Sequence, residues 1–161
     1  MYTNCFQTVK IALATAALLA GTWGTASAQP AQGNTGDDLA IVGTWVVTVS
    51  PDGMPSFRAY NVFSADGNSL EFDNSNPPSQ QTVAVGPWKK IGPRQFAFTE
   101  INDLFDAQGN FQGELKVKST LTVNQASDQF HGSFQFTVYD PKGAIVFQGY
   151  GTALGQRVAI D

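Results

Sequence analysis

The chain has 161 residues, a formal net charge of −4, twelve Phe, sixteen Gly and a single Cys. Nine Lys and Arg against thirteen Asp and Glu argue against nucleic acid or an anionic membrane surface as a partner, because both need clustered positive charge. One cysteine excludes an internal disulfide framework, and the length suits one folded domain rather than two.

Met1 to Ala28 reads as a signal peptide. Lys10 precedes an apolar run from Ile11 to Ala20, and Ala26-Ser27-Ala28 fits the A-x-A cleavage rule. The run is roughly half the ~20 residues of a membrane-spanning helix, so no membrane anchor is expected. Cleavage would remove Lys10 and Cys5, leaving a secreted or periplasmic chain that is cysteine-free and one unit more negative. Such a domain must rely on its core. Gln29 to Asp38 is polar, with Gly and Pro and no apolar period, and reads as a disordered leader. The folded domain is expected over 39–161.

From Leu39 onward, alternating runs are separated by turn chemistry. Thr44 to Ser50 carries Trp45, Val47 and Val49 on one face, and Asp52-Gly53 turns the chain. Ser56 to Ser64 is a second run, with Phe57, Ala59 and Phe63 on one face, and Asp66-Gly67 is a hairpin signal. Ser69 to Asp73 is a short third run, ended by a loop from Asn74 to Ser79 that holds two prolines. Thr82 to Ile91 is a fourth run, in which Gly86-Pro87 suggests a bulge or bend. Gly92-Pro93 leads into a fifth, Gln95 to Phe105. In the sixth, Glu114 to Val123, apolar Leu115, Val117, Leu121 and Val123 alternate with polar residues, the pattern of a strand with one wet face. The seventh, Gln129 to Tyr139, sets Phe130, Phe134, Phe136 and Val138 opposite His131, Ser133, Gln135 and Thr137. Asp140 to Gly143 is a turn, Ala144 to Thr152 an eighth run, and Gln156 to Ile160 a short tail.

No stretch after the leader shows a helical period. Eight one-sided strands with hairpin-length links imply sequential antiparallel pairing. Closing that sheet buries one face of every strand and removes its edges, so an all-β, eight-stranded up-and-down barrel is expected. A two-sheet sandwich with Greek-key crossings is the rival.

Gly43-Thr44-Trp45 opens the first strand as G-x-W does in lipocalins, and Arg157 follows the last strand where lipocalins also carry an arginine. The chain thus resembles a lipocalin-like (calycin-type) secreted barrel, without the disulfide common in that family. The resemblance implies that Trp45 plugs the closed end and that Arg157 packs across its ring as a cation–π pair. Gly86-Pro87-Trp88 looks like a second, imperfect copy of the motif.

An eight-stranded barrel is either filled by side chains or holds one small ligand. Phe57, Phe63, Phe98, Val117, Phe134 and Phe136, with polar Asn61, Glu100 and Ser119, are the candidate ligand-binding set, and Leu115 and Leu121 are also expected to point inward. An apolar wall bearing a few polar groups suits a small apolar molecule. The face of Glu100 depends on a register that one bulge would invert. Three roles stay open: a carrier, an enzyme and a filled structural or interaction barrel. The enzyme reading rests on similarity to allene oxide cyclases, lipocalin-like barrels that confine an apolar substrate, with Glu100 as its catalytic candidate. No cofactor is expected. No His, Asp or Glu cluster has metal-ligand spacing, and His131, the only histidine, is expected to face outward.

Overall fold

In the computed structural model, residues 37–159 are described, and they form eight strands with no helix. These are β1 (Gly43–Pro51), β2 (Phe57–Phe63), β3 (Asn68–Asp73), β4 (Ala84–Gly92), β5 (Gln95–Phe105), β6 (Phe111–Val123), β7 (Gln129–Tyr139) and β8 (Ile145–Arg157). Each strand pairs antiparallel with the next, and β8 returns to β1, closing the barrel in sequence order. The expected signal peptide and most of the expected leader lie outside the described residues. Asp37 and Asp38 are described: Asp37 pairs with Arg94 at 2.8 Å, and Asp38 with Lys90.

Closure follows from one-sided strands whose ends match in register. Trp45 to Pro51 of β1 pairs with Arg157 to Gly151 of β8, so the last strand extends past Thr152, where the eighth run was expected to end, into the expected tail. Arg157 is therefore the final residue of β8 rather than a residue beyond it. The glycines in this stretch do not break the strand because each faces an aromatic ring. Phe130, Phe134 and Phe136 of β7 pair with Gly155, Gly151 and Gly149 of β8. A Cβ at any of these glycines would fall within 2.5 Å of the facing ring. Phenylalanines on one strand thus fill the space left by glycines on its neighbour, as cross-strand pairs do elsewhere in sheets. The ladder of β4 and β5 shifts register between Lys90 and Gly92, past the Gly86-Pro87 step where a bend was expected. The register of β5 against β6 holds from Gln95 to Leu104, which keeps Glu100 on the inner face.

The core sits at one end of the barrel. Ile41, Trp45, Phe63, Phe96 and Val123 are essentially inaccessible there. Trp45 and Phe130 rings lie 5.0 Å apart, and Trp88 meets Phe96 edge-on at 5.7 Å. The Trp45 Nε1–H donates to the Ile41 carbonyl at 2.8 Å, so the indole is buried without an orphaned donor. The Arg157 guanidinium lies 4.2 Å from the Trp45 ring centre and donates to the Val42 and Ala40 carbonyls, each at 2.6 Å. It thereby ties the segment before β1 across the barrel end. Gly43 is required beside it, since its φ is +134° and a Cβ there would lie 2.5 Å from Arg157 Nη1.

Candidate functional site

The opposite end of the barrel is open. A cavity of about 570 Å³ runs in from a mouth formed by Met54–Ser56 of the β1–β2 turn and Asn74–Asn76 after β3. Strand alternation delivers its wall: Val47 and Val49 from β1, Phe57 from β2, Phe98 from β5, Leu115 and Val117 from β6, Phe134 and Phe136 from β7, and Ala153 from β8. Asn61 and Ser119 add polar atoms to this wall. Phe63 lies at the closed end, with its ring 5.4 Å from that of Phe98. The candidate set lines this lumen except for Phe63, which lies at the closed end, and Glu100, which is buried behind Glu71. Trp45 and Arg157 lie at the closed end and do not line the cavity. His131 is exposed on β7.

Glu100 is 1% exposed, and among the described residues no donor is committed to either of its carboxyl oxygens, although its own carboxyl O–H, when protonated, can donate to Glu71. Its polar neighbours are Ser69, Asn61 and Glu71. Ser69 Oγ is committed to the Gly86 carbonyl at 3.0 Å, and Asn61 Nδ2 donates to Glu71 Oε2 at 2.9 Å. Gly86 lets β5 come this close, since a Cβ there would lie 1.8 Å from the Thr99 carbonyl oxygen. Burial raises the pKa of Glu100 well above the ordinary carboxylate value, and the Glu71 charge raises it further. Burial also raises Glu71, while the hydrogen bond from Asn61 opposes the rise. Glu100 is therefore the protonated member of the pair and Glu71 the readier to ionise.

Glu71 is the site residue that sequence reasoning missed. Its strand is inverted: Ser69 is 1% exposed and Glu71 lines the lumen, whereas Leu70 and Phe72 face outward, 42% and 50% exposed. The signal was present in the alternation of Ser69, Glu71 and Asp73 against Leu70 and Phe72, but it reads as the opposite orientation. Among the described residues no group of three or more side chains is placed to hold a metal ion.

No protein-family model matches the chain, and no curated protein does. Among solved structures, one described as a redesigned β-barrel is similar at 15% identity, covering 74% of this chain and 93% of that one, with a TM-score of 0.29.

Proposed function

We propose that the protein is exported and that its barrel binds one small, largely apolar molecule in the lumen, in the manner of lipocalin-like carriers. The observation that carries this reading is the open cavity of about 570 Å³, walled by Val, Leu and Phe with Asn61 and Glu71 as polar contacts. Its volume falls within the range of pockets that enclose small ligands, and a few fixed polar groups on an apolar wall orient such molecules. The likeness to lipocalins is supported by Gly43, Trp45 and Arg157, which meet at the closed end. Export is supported by the apolar run and the A-x-A site in residues 1–28.

Calorimetric titration of the mature protein with n-octanol and n-octylamine tests the reading. At least one should bind, and Ala153→Trp, which places an indole in the lumen, should abolish binding while the β-sheet circular dichroism spectrum is kept. If neither probe binds, or if the Trp variant binds as well as the parent, the lumen is not a ligand site.

A second reading follows from Glu100. A buried, protonated carboxyl beside an apolar cavity suits acid catalysis of a cyclisation or isomerisation. Once a turned-over substrate is in hand, Glu100→Gln should abolish turnover. Full activity in that variant would remove the enzyme reading.

A further inference from the structure

Two carboxyls stand at the inner reach of this lumen with no positive charge to meet them. Glu71 lines the cavity, Glu100 lies directly behind it, and Asp73 lines the same side nearer the mouth. Polar and titratable groups face this region from β2, β3, β5 and β6. They are Asn61 on β2, Ser69, Glu71 and Asp73 on β3, Glu100 on β5 and Ser119 on β6. Among the described residues, no Lys, Arg or His lines the cavity. Arg94 and Lys90 are engaged by Asp37 and Asp38, and cations on β2 and β6 are turned away from the cavity. Arg58 packs over the outward Tyr60 ring at 5.6 Å, and Lys118 is exposed on the outer face of β6.

A buried carboxyl with no donor committed to either oxygen is costly. Many folds answer this with an arginine or a full set of donors, and here neither is supplied. Asn61 satisfies one Glu71 oxygen only. What would complete the site is a donor carrying positive charge, brought in from the mouth on an apolar body.

Resting on the lumen-binding reading above, we infer that the ligand is an amphiphilic amine: an apolar group that fills the Phe- and Val-lined chamber and ends in a protonated nitrogen seated against Glu71, with Glu100 behind it. The ammonium donates a charge-assisted hydrogen bond to the Glu71 oxygen that Asn61 leaves free. With the cation in place, Glu100 ionises and its proton leaves to solvent, so binding releases protons. A metal ion is a poorer occupant, because the site offers two carboxyls and an amide that is already engaged. A fatty acid is a poorer one still, since its carboxylate would add a further negative charge beside Glu71.

The experiment compares n-octylamine, n-octanol and octanoic acid, nearly equal in shape, by isothermal titration calorimetry. The proteins are the mature parent, Glu71→Gln, the double variant Glu71→Gln with Glu100→Gln, and Ala153→Trp. On the parent, octylamine should bind about tenfold or more tightly than octanol, a factor one charge-assisted contact supplies. Octanoic acid should bind least. Repeating the octylamine titration in buffers of different ionisation enthalpy should reveal proton release. In the double variant the ratio of octylamine to octanol affinity should collapse towards one. Should that variant fail to fold by circular dichroism, Glu71→Gln alone carries the comparison and should narrow the ratio. Equal affinity for octylamine and octanol on the parent would overturn the amine assignment while leaving the lumen reading intact, as would a ratio that survives in the double variant. Failure of both probes to bind, or binding that Ala153→Trp does not block, would overturn the lumen reading itself.

Discussion

The barrel has two unlike walls. Across β6 and β7 the inner face is apolar, with Leu115, Val117, Leu121, Phe130, Phe134 and Phe136, and the outer face carries Lys116, Lys118, Thr120, His131, Ser133 and Gln135. Across β3, β4 and β5 this order is partly reversed. Ser69, Glu71, Glu100 and Asn102 point inward, while Leu70, Val85 and Ile101 face solvent in one cross-strand row, 42% to 45% exposed. The difference teaches that alternation fixes two faces of a strand but not which one is interior. That choice belongs to the register in which the sheet closes and to what the interior holds. Here the reversed wall sets an acidic pair opposite an aromatic one, and a lumen so built has one polar side and one greasy side.

The largest effect is expected where both walls converge. Trp45→Ala removes a ring that is wholly buried against Phe130 and capped by Arg157, and should cost about 3–5 kcal/mol in chemical denaturation. A loss within experimental error would mean that the closed end does not hold the walls together. Next comes a paired test of the contrast itself. Leu121→Ala on the inner face of β6, at a position 3% exposed, should cost about 2–5 kcal/mol. The same change at Leu70, outward on β3, should stay within about 0.5 kcal/mol. Comparable losses at the two sites would show that β3 is not inverted.

Between these lies a change of opposite sign. Glu71 and Glu100 have folded-state pKa values raised above the ordinary 4.5 by burial, and Glu100 also by its neighbour's charge. Both states are protonated at low pH. As pH rises past 4.5 the unfolded chain gives up its protons first, so the folded state binds more of them. Stability from this pair is therefore fully present below about pH 4.5, where the unfolded chain titrates. It falls as pH rises through the raised folded-state values. Glu100→Gln keeps the shape and removes one titration. At neutral pH the variant should be more stable than the parent, and its stability should decline less between acid and neutral pH, both read from denaturant midpoints. A variant less stable than the parent across the whole range would mean that ionised Glu100 is held by partners absent from this account.

Much of the fold was legible because its signals are local. Asp66-Gly67 turns β2 into β3, and the alternation of β6 and β7 announces apolar inner faces. The end of β8 was less so. The eighth run was expected to stop at Thr152, before Gly155, and its continuation follows from the rings of Phe136, Phe134 and Phe130 on the adjacent strand filling the gaps at Gly149, Gly151 and Gly155, a pairing that is non-local. The candidate site divides in the same way. Phe57, Phe98, Val117, Phe134 and Phe136 follow from alternation and do line the lumen. Glu100 faces the same interior because β5 holds its register against β6, but it is buried behind Glu71 and does not line the cavity. Glu71 escaped because its apolar neighbours Leu70 and Phe72 are the ones that face water, and only closure of the barrel decides that.

Carbon-13 NMR titration of the glutamate side chains tests most directly whether Glu71 and Glu100 form an interacting, buried pair at the inner reach of the lumen. The chain contains three glutamates, Glu71, Glu100 and the exposed Glu114, so assignment needs only Glu71→Gln and Glu100→Gln spectra. Glu100 should remain protonated well above the ordinary carboxylate range, and its titration should move downward when Glu71 is replaced by Gln. Two carboxyls that titrate independently in the ordinary range would contradict that pairing.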